Sequence, residues 1–497
     1  MIVTVVVFDH RSPIKTPQET DSPAHRKPRD KPWPREETKM ISFSQRCRNI
    51  TTLYLVDKDT QNLGPRLRAS LRGKKAMLVI PTLATEFTLE ENRPVFENIL
   101  KQLGRVTYLN RIIFGLDAAT DAEAVELAAL LKSYGIRNHI IQHNEGERFK
   151  ELYKKIDSFS PGFRQPGKGR NMFMSFGVAQ AIGANYVGVI DADIRTFHYR
   201  QLNRLFYPLI VLNYQFSKAA YIRIANNRMY GRVKRLLLDP FLLALKLKFR
   251  ESQDEKFINL VDYLISFNYQ LSGEVGFEIN LLKRMHFATN WGVELFTLIE
   301  AYRKANNIAQ VQFSSAPFEH KHQSLSEDNP QAGLYKMATD IVTTLLWTLV
   351  VEEGFEISDY FVRDITATYL NVADELVKKY ADNASFSNLE YDRDAEEAVV
   401  KGVFRDAILA AGESITAPLH LVSDNLLHLL VSDKRFERYK GAGLIDDLIA
   451  YEEESRNRIF EIPQTVSWER IIMKQSGILD DIRDAVKQET AFFAKAR

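Results

Sequence analysis

Cysteine is nearly absent: the 497-residue chain has one, Cys47. An intramolecular disulfide framework is thereby excluded, as is any zinc site that draws two or more thiolates from this chain. The expected compartment is the cytoplasm, where thiols stay reduced. Long apolar runs are also lacking. None reaches the roughly 18 residues that a membrane span needs. Ile341–Val351 carries polar threonines and Phe241–Leu247 is short, so both read as core or amphipathic helix, and no membrane span is expected. The opening MIVTVVVF has no basic region before it and no small-residue cleavage site after it, unlike a signal peptide. Charge of one sign is missing too. Lys+Arg is 66 and Asp+Glu is 64, a net charge of +2, which is wrong for a protein whose whole surface binds nucleic acid. No internal repeat is evident. What remains is an ordinary globular mixture, 45% hydrophobic and 26% charged, which argues against global disorder.

Six of the 17 prolines lie between Pro13 and Pro34, in a polar, charged stretch. Such a segment has little apolar surface to offset its ordering entropy, so residues 1–45 read as a disordered or extended tail. Across residues 46–333 the pattern changes. The apolar runs Ala76–Pro81, Arg111–Leu116, His139–Gln142 and Tyr186–Ile190 alternate with amphipathic stretches such as Leu89–Leu103 and Ala122–Tyr134. Strand alternating with helix predicts an α/β domain with a mostly parallel sheet flanked by helices. In such sheets ligands sit outside the carboxyl ends of the strands. Residues 334–497 read as an all-helical extension. Leu334–Val351, Tyr360–Tyr380, Ala395–Ala411 and Leu419–Leu430 carry apolar residues at three- and four-residue spacing. The acidic Glu390–Glu397 reads as a solvated loop or helix start.

The strongest local signal is NYVGVIDADI, Asn185 to Ile194. A buried strand ends in Asp191-Ala192-Asp193, and two carboxylates at i and i+2 can share a hard cation. Aspartates also end strands at plain turns, so the pair gains weight only from its context. Upstream, PGKGRNM sets Lys168 between glycines before an amphipathic helix, Asn171–Ile182. Helix starts favour anions and the lysine adds a mobile positive charge. The spacing is not that of a P-loop. A basic loop, a helix and a metal-binding strand end together suit a nucleotide diphosphate bridged by a divalent cation, Mg²⁺ or Mn²⁺. A second signal is cationic. Between Tyr221 and Arg250 lie Arg223, Arg228, Arg232, Lys234, Arg235, Lys246, Lys248 and Arg250 against only Asp239. A solvated helix face accounts for about half of these, and the rest suit a small anionic acceptor.

At this point the chain resembles a family. G-K-G, a helix and a strand ending in D-A-D are similar to glycosyltransferases of the GT-A fold, in particular the retaining enzymes that make glucosyl-3-phosphoglycerate, and more distantly mannosylglycerate synthase. Four further segments carry the resemblance: MYGRVKRLLLDPFL from Met229, LSGEVGFEINLLKR from Leu271, NWGVELFTLIEAY from Asn290 and FEHKHQSL from Phe318. It spans Lys75 to about Met337. The resemblance implies that Asp193 is the principal metal ligand, with Asp191 beside nucleotide and metal, and that His320 completes the metal site. It implies that Glu294 deprotonates or orients the acceptor hydroxyl. Pro81, Thr82, Leu83, Glu86, Asp117, Lys168, Asp191 and Ala192 fall at donor-binding positions. Gly231, Arg232, Lys234, Gly273 and His322 fall at acceptor-side positions, Lys234 standing where the family has threonine. It further implies a homodimer, and retention with an α product.

The nucleotide end departs from the family. P-A-L-N-E-E appears as Pro81-Thr82-Leu83-Ala84-Thr85-Glu86, and D-S-G-S as Asp117-Ala118-Ala119-Thr120. The base therefore stays open between uracil, guanine and adenine. The expected activity is transfer of a hexose, glucose favoured, from a nucleotide diphosphate sugar to 3-phosphoglycerate or a similar glycerate, for compatible-solute synthesis. Mannose as the sugar, free glycerate as the acceptor, and a sugar nucleotidyltransferase are the alternatives. The nucleotidyltransferase lacks its glycine-rich basic loop after Pro81.

Overall fold

The computed structural model describes residue 45 and residues 49–55, 63–158, 167–315, 317–320, 333–416 and 465–495. The proline-rich tail and the expected helix Leu419–Leu430 lie outside the described residues.

The main sheet has eight strands: β1 (Ile50–Leu53), β2 (Ala76–Leu83), β3 (Leu109–Asp117), β4 (His139–His143), β5 (Tyr186–Val189), β6 (Phe216–Ala220), β9 (Val275–Glu278) and β11 (Ile308–Gln312). Two short strands, β7 (Ile224–Ala225) and β8 (Arg228–Met229), form a separate hairpin, and β10 (His286–Ala288) pairs with β12 (Thr465–Ser467). The sheet order is β1-β11-β6-β9-β5-β2-β3-β4. Every neighbouring pair is parallel except the two made by β9. The expected mostly parallel sheet is thus present. β2 begins with five buried residues, Ala76–Ile80, as a central strand covered on both faces should. From β2 the chain steps outward to β3 and β4, then returns to place β5 on β2's other side. The β2–β5 boundary is the point where strand order reverses, which is where open α/β sheets bind ligands.

Helix Lys168–Ala181 differs from its expected amphipathic form. It starts at Lys168 itself, and Asn171 through Ala181 are buried without a break. The reason lies far along the chain. Trp468 stacks on Phe173 at 4.6 Å with the rings 8° from parallel, and its indole N–H donates to the Phe173 carbonyl at 2.8 Å. A Cβ on Gly177 would collide with that indole. The final helix, Ile478–Lys495, packs on the same helix and on β4. One hydrophobic core therefore takes residues from both the sheet and the C-terminal segments, from Met77 and Val187 to Leu345, Tyr369 and Val486.

Residues 333–352 run as one helical stretch, long and apolar enough by length and composition to cross a membrane, although 61% of that window is buried in the fold. It packs against helix Arg405–Thr416, and helix Asp359–Phe386 packs against Asp239–Glu251. The acidic stretch is only partly solvated. Its Glu396 is buried in a two-pronged ion pair with Arg235, at 2.9 and 2.8 Å.

Candidate active site

At the end of β2, Pro81 is half-buried, Thr82 is buried and Leu83 is exposed. The Thr82 hydroxyl donates to the Ile80 carbonyl at 2.9 Å, so it is held by its own strand. Glu86 lies buried in the short helix Thr85–Thr88. Asp117, at the end of β3, accepts hydrogen bonds from Asn144 Nδ2 at 2.5 Å and Asn171 Nδ2 at 2.8 Å. Burial pushes its carboxyl up to about 6, against the pull of those two amides.

Lys168 occupies the centre. It is the first residue of its helix, next to the orphan N–H groups of the first turn. Its Nζ lies 2.7 Å from Asp191 Oδ1 and 2.8 Å from Glu294 Oε1. Burial would lower this ammonium, but the two carboxylates more than offset that and hold it well above its ordinary value. Two glycines make the approach possible. A Cβ on Gly169 would strike the Ala288 carbonyl, and a Cβ on Gly273 would strike the Asp191 carboxylate. Glu294 stands in the first turn of helix Val293–Lys304. The turn before it is braced from the C-terminal part, because Asn290 Oδ1 accepts from Gly292 N at 3.0 Å and from Thr344 Oγ1 at 3.4 Å.

Beside this pair lies a second one. An isolated antiparallel bridge joins Ile194 to His320 and sets the imidazole next to Asp193. His320 Nδ1 lies 3.2 Å from Asp193 Oδ1. Burial raises the Asp193 carboxyl, but His320, Lys168 and Arg223 outweigh it and hold it below the usual carboxylate range. His320 Nε2 points at Glu274 Oε1, 3.6 Å away. Among the described residues both of these atoms are buried without a hydrogen-bond partner. Asp191, Glu274 and His320 also bring ligand atoms within 4.8 Å of one another. The donor set fits a divalent cation. Carboxylate oxygen with imidazole is a mixed set that Mn²⁺ and Mg²⁺ accept. Two ligands at about 2.1 Å and a right angle lie about 3 Å apart, close to the Asp193–His320 spacing.

In the segment expected to face the acceptor, Asn226 and Asn227 turn the β7–β8 hairpin at positive φ, 47° and 58°. Gly231 follows at φ 82°, with its α-carbon facing the Tyr269 hydroxyl. Arg232 precedes a π-helical segment, Val233–Leu238, and makes no ion pair among the described residues. It lines a cavity with Arg228, Tyr230 and Glu390–Asp394. Lys234 is ion-paired with Asp239. Most of the basic run is likewise structural: Arg228 with Glu390, Arg235 with Glu396, Lys246 with Asp262 and Lys248 with Asp364. His322 lies outside the described residues.

The site thus gathers Lys168, Asp191, Asp193, Glu294 and His320. Sequence reading missed three buried neighbours. Glu274 was passed over for Gly273, Tyr221 donates to Glu274 at 2.8 Å, and Lys218 donates to the Ser272 carbonyl at 2.5 Å. Burial pulls Lys218 down to about 8. The only sequence signal for Lys218 was a lysine inside an otherwise small and apolar strand.

A paired ammonium at a helix start, a D-x-D motif at the carboxyl end of an interior strand and a histidine beside it equip a transferase that acts on a diphosphate donor. No family model matches the chain. It is 30% identical over 406 residues to a glucosyl-3-phosphoglycerate synthase of Persephonella marina, an alignment covering 77% of this chain and 97% of the relative. It is also 30% identical over 373 residues to the enzyme of that name from Methanococcoides burtonii, covering 73% and 88%. Among solved structures, the glucosyl-3-phosphoglycerate synthase of Mycobacterium tuberculosis, in complex with Mn²⁺, UDP and phosphoglyceric acid, is 22% identical, with a TM-score of 0.43 and coverage of 62% and 87%. The chain belongs to the glucosyl-3-phosphoglycerate synthase family.

Proposed function

We propose that the protein transfers glucose from a nucleotide diphosphate sugar to the free hydroxyl of 3-phosphoglycerate, with Mg²⁺ or Mn²⁺ bound and with retention of anomeric configuration. The observation that carries this reading is Lys168, held between Asp191 and Glu294 and beside the Asp193–His320 pair. Family membership supports both the glucosyl donor and the phosphorylated acceptor.

Asp193 and His320 would hold the divalent ion, with Asp191 next to it. When bound, such an ion acts as a Lewis acid on the diphosphate leaving group. Lys168 contributes the mobile positive charge. It exchanges a carboxylate partner for the departing phosphate oxygen and stabilises the charge developing there. Glu294 accepts a hydrogen bond from the acceptor hydroxyl and fixes its approach to the sugar. Arg232 supplies forked donors to the acceptor phosphate. Residues 46–333 form the catalytic part, and C-terminal residues brace the helix that begins at Lys168, through Trp468, and the turn before Glu294, through Thr344.

The test is a competition between acceptors. The protein is incubated with Mg²⁺ or Mn²⁺, with UDP-, GDP- or ADP-glucose, and with glycerate or 3-phosphoglycerate. Product masses and kcat/KM are then compared. A large preference for 3-phosphoglycerate is expected, and equal use of both acceptors contradicts the phosphorylated-acceptor reading.

A further inference from the structure

Glu274 is the most deeply buried carboxylate of the site, with a fully enclosed side chain. An unpaired buried carboxylate is expensive, so a group kept there needs partners. One oxygen has a partner: Oε2 accepts the Tyr221 hydroxyl at 2.8 Å. The tyrosine is itself immobilised, its ring packed 4.1 Å from Phe318 and 4.7 Å from Tyr269. The backbone is pinned as well. Ala219 N donates to the Glu274 carbonyl at 3.0 Å, and the neighbouring Ser272 hydroxyl donates to the Ala219 carbonyl at 2.8 Å. The other oxygen, Oε1, makes no hydrogen bond among the described residues and lies 3.6 Å from His320 Nε2. The opposite ring nitrogen, Nδ1, faces Asp193. The imidazole therefore stands between two carboxylates with different surroundings, one half-buried and at the open site, one enclosed behind it.

We infer that Glu274 is a positioning residue for the metal site. With the ion bound, the 3.6 Å gap would close so that Glu274 accepts the Nε2–H of His320, which leaves the Nδ1 lone pair directed to the side where Asp193 lies. Carboxylates behind metal-bound histidines commonly set ring tautomer and orientation in this way. Tyr221 holds Glu274 in place by occupying its second oxygen. The inference rests on the proposed divalent ion and deepens that reading. Asp193 and His320 are the ligand pair, and Glu274 acts through His320.

Mn²⁺ binding to the full chain, read from the free-ion EPR signal, tests this without turnover. Glu274→Ala is expected to weaken Mn²⁺ binding about ten- to a hundredfold. Glu274→Gln keeps an oxygen that can accept the imidazole N–H and is expected to recover most of that loss. Tyr221→Phe is expected to weaken binding less than Glu274→Ala. Nitrogen-15 NMR of histidine-labelled wild type with Mg²⁺ and UDP covers the case of an alanine variant that does not fold. The His320 resonance, identified by its loss in His320→Gln, is expected to be that of an Nε2-protonated ring. An Nδ1-protonated ring, or Mn²⁺ affinity unchanged in Glu274→Ala, overturns the inference. Equal losses in Glu274→Ala and Glu274→Gln also overturn it, since they mark Glu274 as a direct ligand. Wild type that binds no Mn²⁺ removes the metal reading and this inference with it. Wild type and Glu274→Ala binding alike removes the inference alone.

Discussion

Replacing Trp468 with alanine tests whether the C-terminal part holds the active site together. The indole is fully buried, stacked on Phe173 and hydrogen-bonded to the Phe173 carbonyl. Losing a buried tryptophan costs about 3–5 kcal/mol through lost transfer energy and the cavity left behind. The indole N–H bond to the Phe173 carbonyl contributes about 0.5–1.5 kcal/mol of that. Trp468→Phe isolates that smaller share, because it keeps a ring against Phe173 and removes the N–H. Single domains are stable by only about 5–15 kcal/mol, so the alanine variant gives up a large fraction. The functional consequence follows from position. Phe173 lies on the helix that begins at Lys168, and an ångström of displacement at a catalytic group can cost about a hundredfold in rate. Urea unfolding followed by far-UV circular dichroism and steady-state kinetics on the same preparations measure both effects. The expected result is a lower midpoint, with kcat/KM down at least about tenfold. An alanine variant as stable and as active as the parent refutes the bracing role.

The buried Arg235–Glu396 pair gives a second expectation: Arg235→Ala costs about 3–5 kcal/mol in denaturant unfolding, whereas Arg235→Met with Glu396→Met is near neutral. Glu300 sets part of the acid limit. Burial would raise its carboxyl, but donors on His286 and Lys304 hold it at about 2 against an ordinary 4.5. The folded value is depressed, so its stabilisation is complete above 4.5 and is lost as pH falls from 4.5 toward 2, about 3 kcal/mol in all. Glu300→Gln should therefore be less stable than the parent at pH 7, with the gap narrowing over that window in pH-dependent urea titrations. Arg232→Ala should raise the acceptor's KM roughly ten- to a hundredfold, from a loss of about 1.5–3 kcal/mol, with the donor's KM little changed. Initial rates across both substrate concentrations check it.

Of the four strands read from the sequence, β2, β3 and β5 lie inside the sheet and carry apolar runs because such strands are buried on both faces, whereas β4, at the end of the sheet, shows only Ile140 and Ile141. β1, β9 and β12 are three or four residues long and carry no comparable signal. Asp191, Asp193 and Lys168 stand out by motif and spacing, whereas Glu294 and His320 stand out only through the family resemblance. Glu274 does not stand out, since a glutamate after a glycine looks the same on a surface turn as in a sealed site. The basic run shows the same limit. Arg232 and Arg235 are equivalent in sequence, and what separates them is Glu396, 161 residues beyond Arg235. The burial of helix Lys168–Ala181 was hidden for that reason too, its covering Trp468 lying 295 residues beyond Phe173.

The central claim is that one metal-dependent cluster transfers glucose to 3-phosphoglycerate. Its most direct test is product analysis by mass spectrometry of the full-length protein with Mn²⁺, UDP-glucose and 3-phosphoglycerate, beside Asp193→Ala and beside wild type in excess chelator. Glucosyl-3-phosphoglycerate from wild type, and none from the variant or the chelated enzyme, is the predicted result. Wild-type turnover that persists in chelator, or a folded Asp193→Ala protein that works normally, contradicts the account.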